Sequence, residues 1–284
     1  FTICQRFGIE MITVPMTENG PDVDEIEKLI TADDTIRGMW CVPRYSNPTG
    51  YTCSPEVVRA LADLKPGSDD FLIFWDDAYA VHHFGGGPEP LESLLDACKS
   101  AGNPERALIF GSTSKISFAG AGLAMMGGST ASCAWAKERM FAQTIGYDKI
   151  NMLRHVRFFG NLNGVLTHMD KHAAIVAPKF QAVEEILTAE LGESVAGTGL
   201  AEWTHPSGGY FVSLDTKDGC ASEVIKLAGE LGVKLTPAGS TFPHKKDPQD
   251  RNIRIAPTFP VLDDVKTAVK VLAVCIKFVS LGKS

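Results

Sequence analysis

The stretch Phe71-Leu72-Ile73-Phe74-Trp75-Asp76-Asp77-Ala78-Tyr79 decides how this chain is read. Five consecutive apolar residues, Phe71 to Trp75, read as a strand buried on both faces. The run stops abruptly at two carboxylates. An acid ending such a strand lies at the carboxyl edge of a parallel sheet, where these sheets bind ligands. One of Asp76 and Asp77 can instead be a helix cap. A buried aspartate beside a pyridine nitrogen would keep that nitrogen protonated, because unlike charges at short range favour both ionised forms. Tyr79, three residues beyond Asp76, can share the same rim.

Lys115 lies 39 residues after Asp76, about one crossover helix plus a strand. It follows the apolar run Ala107–Phe110 in Gly111-Ser112-Thr113-Ser114-Lys115. A surface lysine after a strand gives the same pattern. A partly desolvated lysine amine there can also hold an aldehyde cofactor as a Schiff base. The hydroxyls beside it are natural donors to a phosphate. Upstream, Pro43-Arg44-Tyr45-Ser46-Asn47-Pro48-Thr49-Gly50 follows the apolar run Met39–Val42. Asn-Pro and Thr-Gly are turn dipeptides, and Pro48 stiffens the corner from which Asn47 is presented. Downstream, Arg254 alternates with Ile253 and Ile255, so its fork points away from the face they occupy. Such a fork suits a carboxylate, as it also suits an ordinary strand-edge ion pair.

In this order and spacing the segments resemble the fold type I, class I/II aminotransferases that depend on pyridoxal 5'-phosphate. Asn-Pro-x-Gly, Asp-x-Ala-Tyr, Ser-x-x-Lys and a late strand arginine are that family's layout. Pro206-Ser207-Gly208-Gly209-Tyr210-Phe211 adds its small-domain hairpin signature. The residues after Lys115 are most similar to a divergent bacterial subgroup of aspartate aminotransferases. The resemblance implies an α/β fold: a large domain with a mostly parallel sheet, plus a smaller α+β C-terminal domain. It makes Lys115 the Schiff-base lysine and general acid/base, and Asp76 the partner of the pyridine nitrogen. Asn47 and Tyr79 become the pair on the ring's phenolic oxygen, and Ser112 and Ser114 the phosphate ligands. Arg254 becomes the clamp on the substrate's alpha-carboxylate, with Asn47 beside it.

Two departures stand out. Many relatives place a phosphate-binding arginine eight residues after the lysine, where this chain has Leu123. The strand candidates before residue 130 are Glu10–Val14, Ile36–Val42, Phe71–Trp75, Ala107–Phe110 and Leu123–Gly127. The family's first two strands, with the glycine-rich phosphate cap and the aromatic that stacks on the cofactor, have no counterpart among them. The expectation is therefore a piece of a longer chain, unable by itself to hold cofactor tightly.

Residues 1–162 read as a partial cofactor-binding large domain, with helices at Pro55–Leu64 and Leu91–Ser100. Residues 163–284 read as a long connecting helix (Asn163–Leu191) and a small domain. That domain has a hairpin at Glu202–Leu214, a helix at Ser222–Leu231, strands at Val233–Pro237 and Asn252–Ala256, and a last helix from Asp263. A net charge of −7 argues against a nucleic-acid surface. Seven scattered cysteines without metal-like spacing suit reduced thiols in a cytoplasm. No run approaches the roughly 18 apolar residues of a membrane span. His82-His83 reads as surface or as support behind the site, and Gly85-Gly86-Gly87 as a loop. Arg154 and Arg157 lie where relatives reach a neighbouring subunit's site. The expected activity is amino transfer between aspartate and 2-oxoglutarate, by ping-pong exchange in a homodimer. A beta-eliminating carbon–sulfur lyase and the effector-binding domain of a transcriptional regulator fit the same residues.

Overall fold

A computed structural model describes residues 1–192 and 199–282. The chain divides into two compact units. One comprises Val14–Ser46 and Tyr51–Lys171; the other comprises Phe1–Thr13, Asn47–Gly50 and His172 onward.

Helix α1 (Thr2–Arg6) opens the chain. The strand expected at Glu10–Val14 is not formed. Among the described residues no strand pairs with it, so its backbone groups have no ladder to join. Strands β1 (Met16–Thr17) and β2 (Gly20–Pro21) make a short antiparallel ladder. Helix α2 (Val23–Ala32) is capped by Asp22 and buries Ile26 and Ile30.

The alternation that follows builds the main sheet: β3 (Gly38–Cys41), α3 (Pro55–Asp63), β4 (Leu72–Asp76), α4 (Leu94–Ser100), β5 (Ala107–Ser112) and β6 (Ala124–Gly127). The order is β3-β4-β5-β6, parallel except for β6, which returns antiparallel to β5. Ser54 and Ser93 cap α3 and α4, and Pro55 at the first helical position fixes the start of α3. Val58 and Leu61 of α3, with Leu94 and Cys98 of α4, pack in one core with Cys41, Ile73, Trp75 and Ala107.

The sheet is not covered on both faces, contrary to the reading of Phe71–Trp75. Ile73 and Trp75 are buried, whereas Leu72 and Phe74 are half-buried. Phe74, Trp40 and Phe110 form a triangular cluster of near-parallel rings, with centroids 5.5, 6.0 and 6.1 Å apart. Trp40 is 62 % exposed. An apolar run cannot by itself distinguish core from a partly exposed aromatic cluster.

Helices α5 (Thr130–Phe141) and α6 (Lys149–Phe159) each bury one residue, Ala136 and His155. Helix α7 (Leu162–Leu191) runs through Pro178. In the second unit, β7 (Ala201–Trp203), β8 (Val212–Thr216) and β9 (Asn252–Ile255) form an antiparallel sheet in that order. Helix α8 (Ala221–Glu230) packs on β9 and on α9 (Leu262–Gly282), whose first turn carries Asp263 and Asp264. The strand expected at Val233–Pro237 is absent. Val233 N–H instead closes the end of α8 on the Ala228 carbonyl at 2.8 Å, after Gly232 at φ 88°.

Candidate functional site

The register of the parallel strands sets the first half of the site. Trp40 pairs with Phe74, and Asp76 pairs with Phe110. Registered neighbours share a face and alternate residues repeat it, so Trp40, Phe74, Asp76, Phe110 and Ser112 occupy one face. Asp76 ends β4 there and accepts a hydrogen bond from Trp40 Nε1 at 3.3 Å. That indole partner was missed in the sequence, although Trp40 alternates with Met39 and Cys41 in the adjoining strand.

Asp77 turns the other way. It lies 4.0 Å from Arg44 Nη2. Its Oδ1 and the Arg44 Nε are buried without a hydrogen-bond partner. Burial raises the Asp77 carboxyl above the usual carboxylate range; Arg44 opposes that shift and Asp76 adds to it. Of the two acids, Asp76 belongs to the sheet face carrying the aromatic cluster.

Lys115 lies in a tight turn after β5, closed by Ile116 N–H and Ser117 N–H on the Thr113 carbonyl. It is exposed, and its Nζ sits 5.1 Å from the ring centroid of buried Tyr79. Ser112 Oγ donates to Ser114 Oγ at 2.9 Å and accepts from Ser114 N–H at 3.1 Å. The pair therefore presents the Ser114 hydroxyl hydrogen as a donor. A Cβ on Gly122 would lie 2.6 Å from Ser114 N and Oγ, so the turn depends on glycine there. Leu123, at the departing arginine position, exchanges two bonds with Thr113: its N–H donates to Thr113 Oγ1 and its carbonyl accepts from Thr113 N–H.

His82 and His83 are both buried, which removes the surface alternative and leaves that of support behind the site. His82 contacts the Lys115 carbonyl, and His83 Nε2 lies 3.4 Å from Asp170. His155 and His168, not singled out in the sequence, also reach this turn. In Arg154-His155-Val156-Arg157 the arginines drew attention, yet both are exposed and only the histidine is buried. Arg154 contacts Asn151 at 2.8 Å.

The second unit holds the other two candidates. Arg254 on β9 projects opposite buried Ile253 and Ile255. Its Nη1 donates to Asn47 Oδ1 at 3.1 Å and its Nη2 to Thr236 Oγ1 at 3.4 Å, while its guanidinium stacks 4.5 Å over the Phe211 ring. The Asn47–Pro48 peptide is cis. Gly50, at φ 75°, comes so close to Pro206 that a Cβ would sit 2.5 Å from the proline's. The turn Asn47–Gly50 and the segment Pro206–Phe211 thus meet around Arg254. Asp76, Tyr79, Ser112, Ser114 and Lys115 all belong to the first unit.

The architecture is that of the fold type I aminotransferases. The model of the aspartate amino-transferase family matches residues 1–284, and the chain belongs to that family. It is 51% identical over 276 residues to a Mycolicibacterium smegmatis protein assigned provisionally as an aminotransferase, covering 97% of this chain. It is 43% identical, with the same coverage, to an aspartate aminotransferase of Corynebacterium glutamicum. The chain spans 63% of the length of each of these curated relatives. The crystal structure of an aspartate transaminase from C. glutamicum superposes with a TM-score of 0.95 at 41% identity, covering 99% of this chain and 65% of that one. An alpha-aminoadipate aminotransferase from Thermus thermophilus, complexed with N-(5'-phosphopyridoxyl)-L-leucine, shares the fold with a TM-score of 0.79 at 22% identity, covering 98% of this chain and 67% of that one.

Proposed function

We propose that this chain carries the cofactor- and substrate-binding residues of a pyridoxal-phosphate-dependent aminotransferase acting on aspartate and 2-oxoglutarate. The observation that carries the reading is the common edge of β4 and β5. Asp76 ends one strand, the Lys115 turn follows its parallel neighbour, and Tyr79 lies beneath the lysine amine. The donor set fits pyridoxal phosphate: an amine for the aldehyde, a carboxylate for the ring nitrogen, a phenol for the ring oxygen and paired hydroxyls for the phosphate.

When bound, pyridoxal phosphate supplies the electron sink that stabilises negative charge at the amino acid's alpha carbon. Lys115 Nζ anchors it and moves the proton at that carbon. Asp76 holds a proton on the ring nitrogen through its charge. Tyr79 and the Asn47 amide donate to the phenolic oxygen; because Asn47 Oδ1 already accepts from Arg254, its NH₂ is the end that donates. Ser112 and Ser114 bind phosphate. Arg254 grips the alpha-carboxylate and so orients the bond to be broken.

Residues 1–162 serve as a partial large domain and residues 163–284 as the connecting helix and small domain. The full protein is a cytoplasmic homodimer. The apolar residues that α5 and α6 expose, among them Trp135, Phe141, Ile150 and Phe158, suit coverage by a second copy. Among the described residues no helix is long and apolar enough to cross a membrane.

The decisive experiment follows full-length holoprotein mixed with aspartate alone. One oxaloacetate per site, with loss of the visible band of lysine-bound cofactor and no ammonia, supports transfer. Free ammonia released without oxaloacetate, or no reaction, overturns it.

A further inference from the structure

The turn bearing Lys115 does not continue as a helix, so its carbonyl groups need donors from elsewhere. Two of them are met by imidazoles. His82 Nε2 lies 3.1 Å from the Lys115 carbonyl oxygen, and His168 Nε2 lies 2.9 Å from that of Ile116. A carbonyl only accepts, so each ring carries a proton on Nε2. A third ring grips the flanks of the turn. His155 Nδ1–H donates to the Asn151 carbonyl at 2.9 Å, which leaves Nε2 to accept from the Thr113 hydroxyl at 3.1 Å; Ser117 Oγ, which donates to the Thr113 carbonyl at 3.1 Å, lies 2.8 Å from the same nitrogen.

These rings come from separate parts of the first unit: the turn after β4, helix α6, and the part of α7 before His172. His82 and His155 are buried. The lysine side chain has a flexible four-carbon stem, so where its amine can reach is set by how firmly its main chain is held. Proton transfer is sensitive to that anchoring, since about 1 Å of misplacement can lower a rate roughly a hundredfold.

We infer that His82 and His168, supported by His155, are positioning residues that fix the main chain at Lys115 and so aim its amine. This rests on the reading of Lys115 given under Proposed function. The rings touch neither substrate nor cofactor in this scheme; they act through the peptide groups of residues 113–117.

The test compares His82→Leu and His168→Leu with His82→Gln and His168→Gln in full-length holoprotein. Glutamine Nε2 can donate close to where the imidazole Nε2–H does, without a titratable ring. In the leucine variants the pH midpoint of the lysine-bound cofactor's absorbance should shift by about half a unit or more. Turnover should fall roughly tenfold or more, with KM for aspartate within about twofold. Deuterium uptake across residues 112–118, measured without cofactor, should accelerate roughly tenfold. Glutamine should restore all of these. Folded leucine variants with parental midpoint, turnover and exchange overturn the inference, as does a loss that glutamine leaves unrepaired. Where a leucine variant does not fold, the glutamine variant decides, and a departure from parental midpoint and exchange counts against it. Parental protein whose Lys115 carries no cofactor after borohydride reduction would sink the functional reading instead, while exchange at residues 112–118 would still show whether the imidazoles hold the turn.

Discussion

Arg254 Nη1 donates to Asn47 Oδ1 at 3.1 Å, joining residues 207 positions apart. The asparagine therefore orients the guanidinium from its carbonyl side while keeping its NH₂ for another acceptor. If the pair serves a substrate carboxylate, Arg254→Lys loses the planar fork and the Asn47 bond together. Hydrogen bonds to charged groups contribute about 1.5–3 kcal/mol, so KM for aspartate should rise between roughly tenfold and 150-fold. Asn47→Ala should cost less, and the double variant less than the sum of the two. Steady-state kinetics on the full-length enzyme check this; strictly additive effects would show that the contact carries no shared duty.

The Ser112–Ser114 pair predicts a selective loss of cofactor. Ser112→Ala removes both the donor to Ser114 Oγ and the acceptor for Ser114 N–H. Gly122→Ala forces the same turn open. Each should weaken pyridoxal phosphate binding by roughly tenfold or more, equivalent to about 1.4 kcal/mol, at nearly constant circular dichroism. Retention after gel filtration measures it, and undiminished occupancy would mislocate the phosphate ligands.

Gly50→Ala should destabilise the second unit. The new methyl would meet Pro206 at 2.5 Å with the backbone at φ 75°, so strain and overlap act together. A loss of about 1–3 kcal/mol is expected in urea unfolding followed by the fluorescence of Trp203, which lies in the same unit. An unchanged midpoint would mean that the turn relaxes freely.

Asp77 gives a pH dependence of definite sign. Its folded carboxyl is raised by burial, so the folded state holds the proton more tightly than the unfolded one. The stability it contributes is fully present below the unfolded value and is lost as pH rises through the folded value. Asp77→Asn should therefore stabilise the fold at neutral pH, with the gain vanishing in acid. Urea midpoints at both pH values decide; a gain confined to acid would reverse the assignment.

Burial likewise raises the Cys98 thiol to about 11, and the Cys41 thiol is pushed well up by its hydrogen bond with the Cys53 thiol and by burial. Half-buried Cys4 and Cys133 should alkylate first at pH 8. Mass mapping that found Cys98 modified as early as Cys133 would contradict the packing around α4.

The elements easiest to read in the sequence were those whose signal is local. Ser54-Pro55 starts α3, Ile253 and Ile255 flank Arg254, and the run ending at Asp76 makes β4. Glu10–Val14 has strand-like composition but no partner, and pairing is not a property of one segment. Val233 was committed to closing a helix instead of extending a strand. Helices α5 and α6 each bury a single residue and leave Trp135, Phe141, Ile150 and Phe158 exposed, so their apolar residues do not mark a core-facing stripe. His155 and His168 escaped notice for a related reason: their partners are backbone carbonyls and hydroxyls that only the folded turn brings together.

The cluster of Trp40, Phe74 and Phe110 gives the molecule an intrinsic optical gauge. The indole N–H is bonded to the Asp76 carboxylate, so a ring nitrogen seeking that acid competes with the tryptophan for it or shares it. Arrival of any such guest should register in Trp40 emission before turnover is measured.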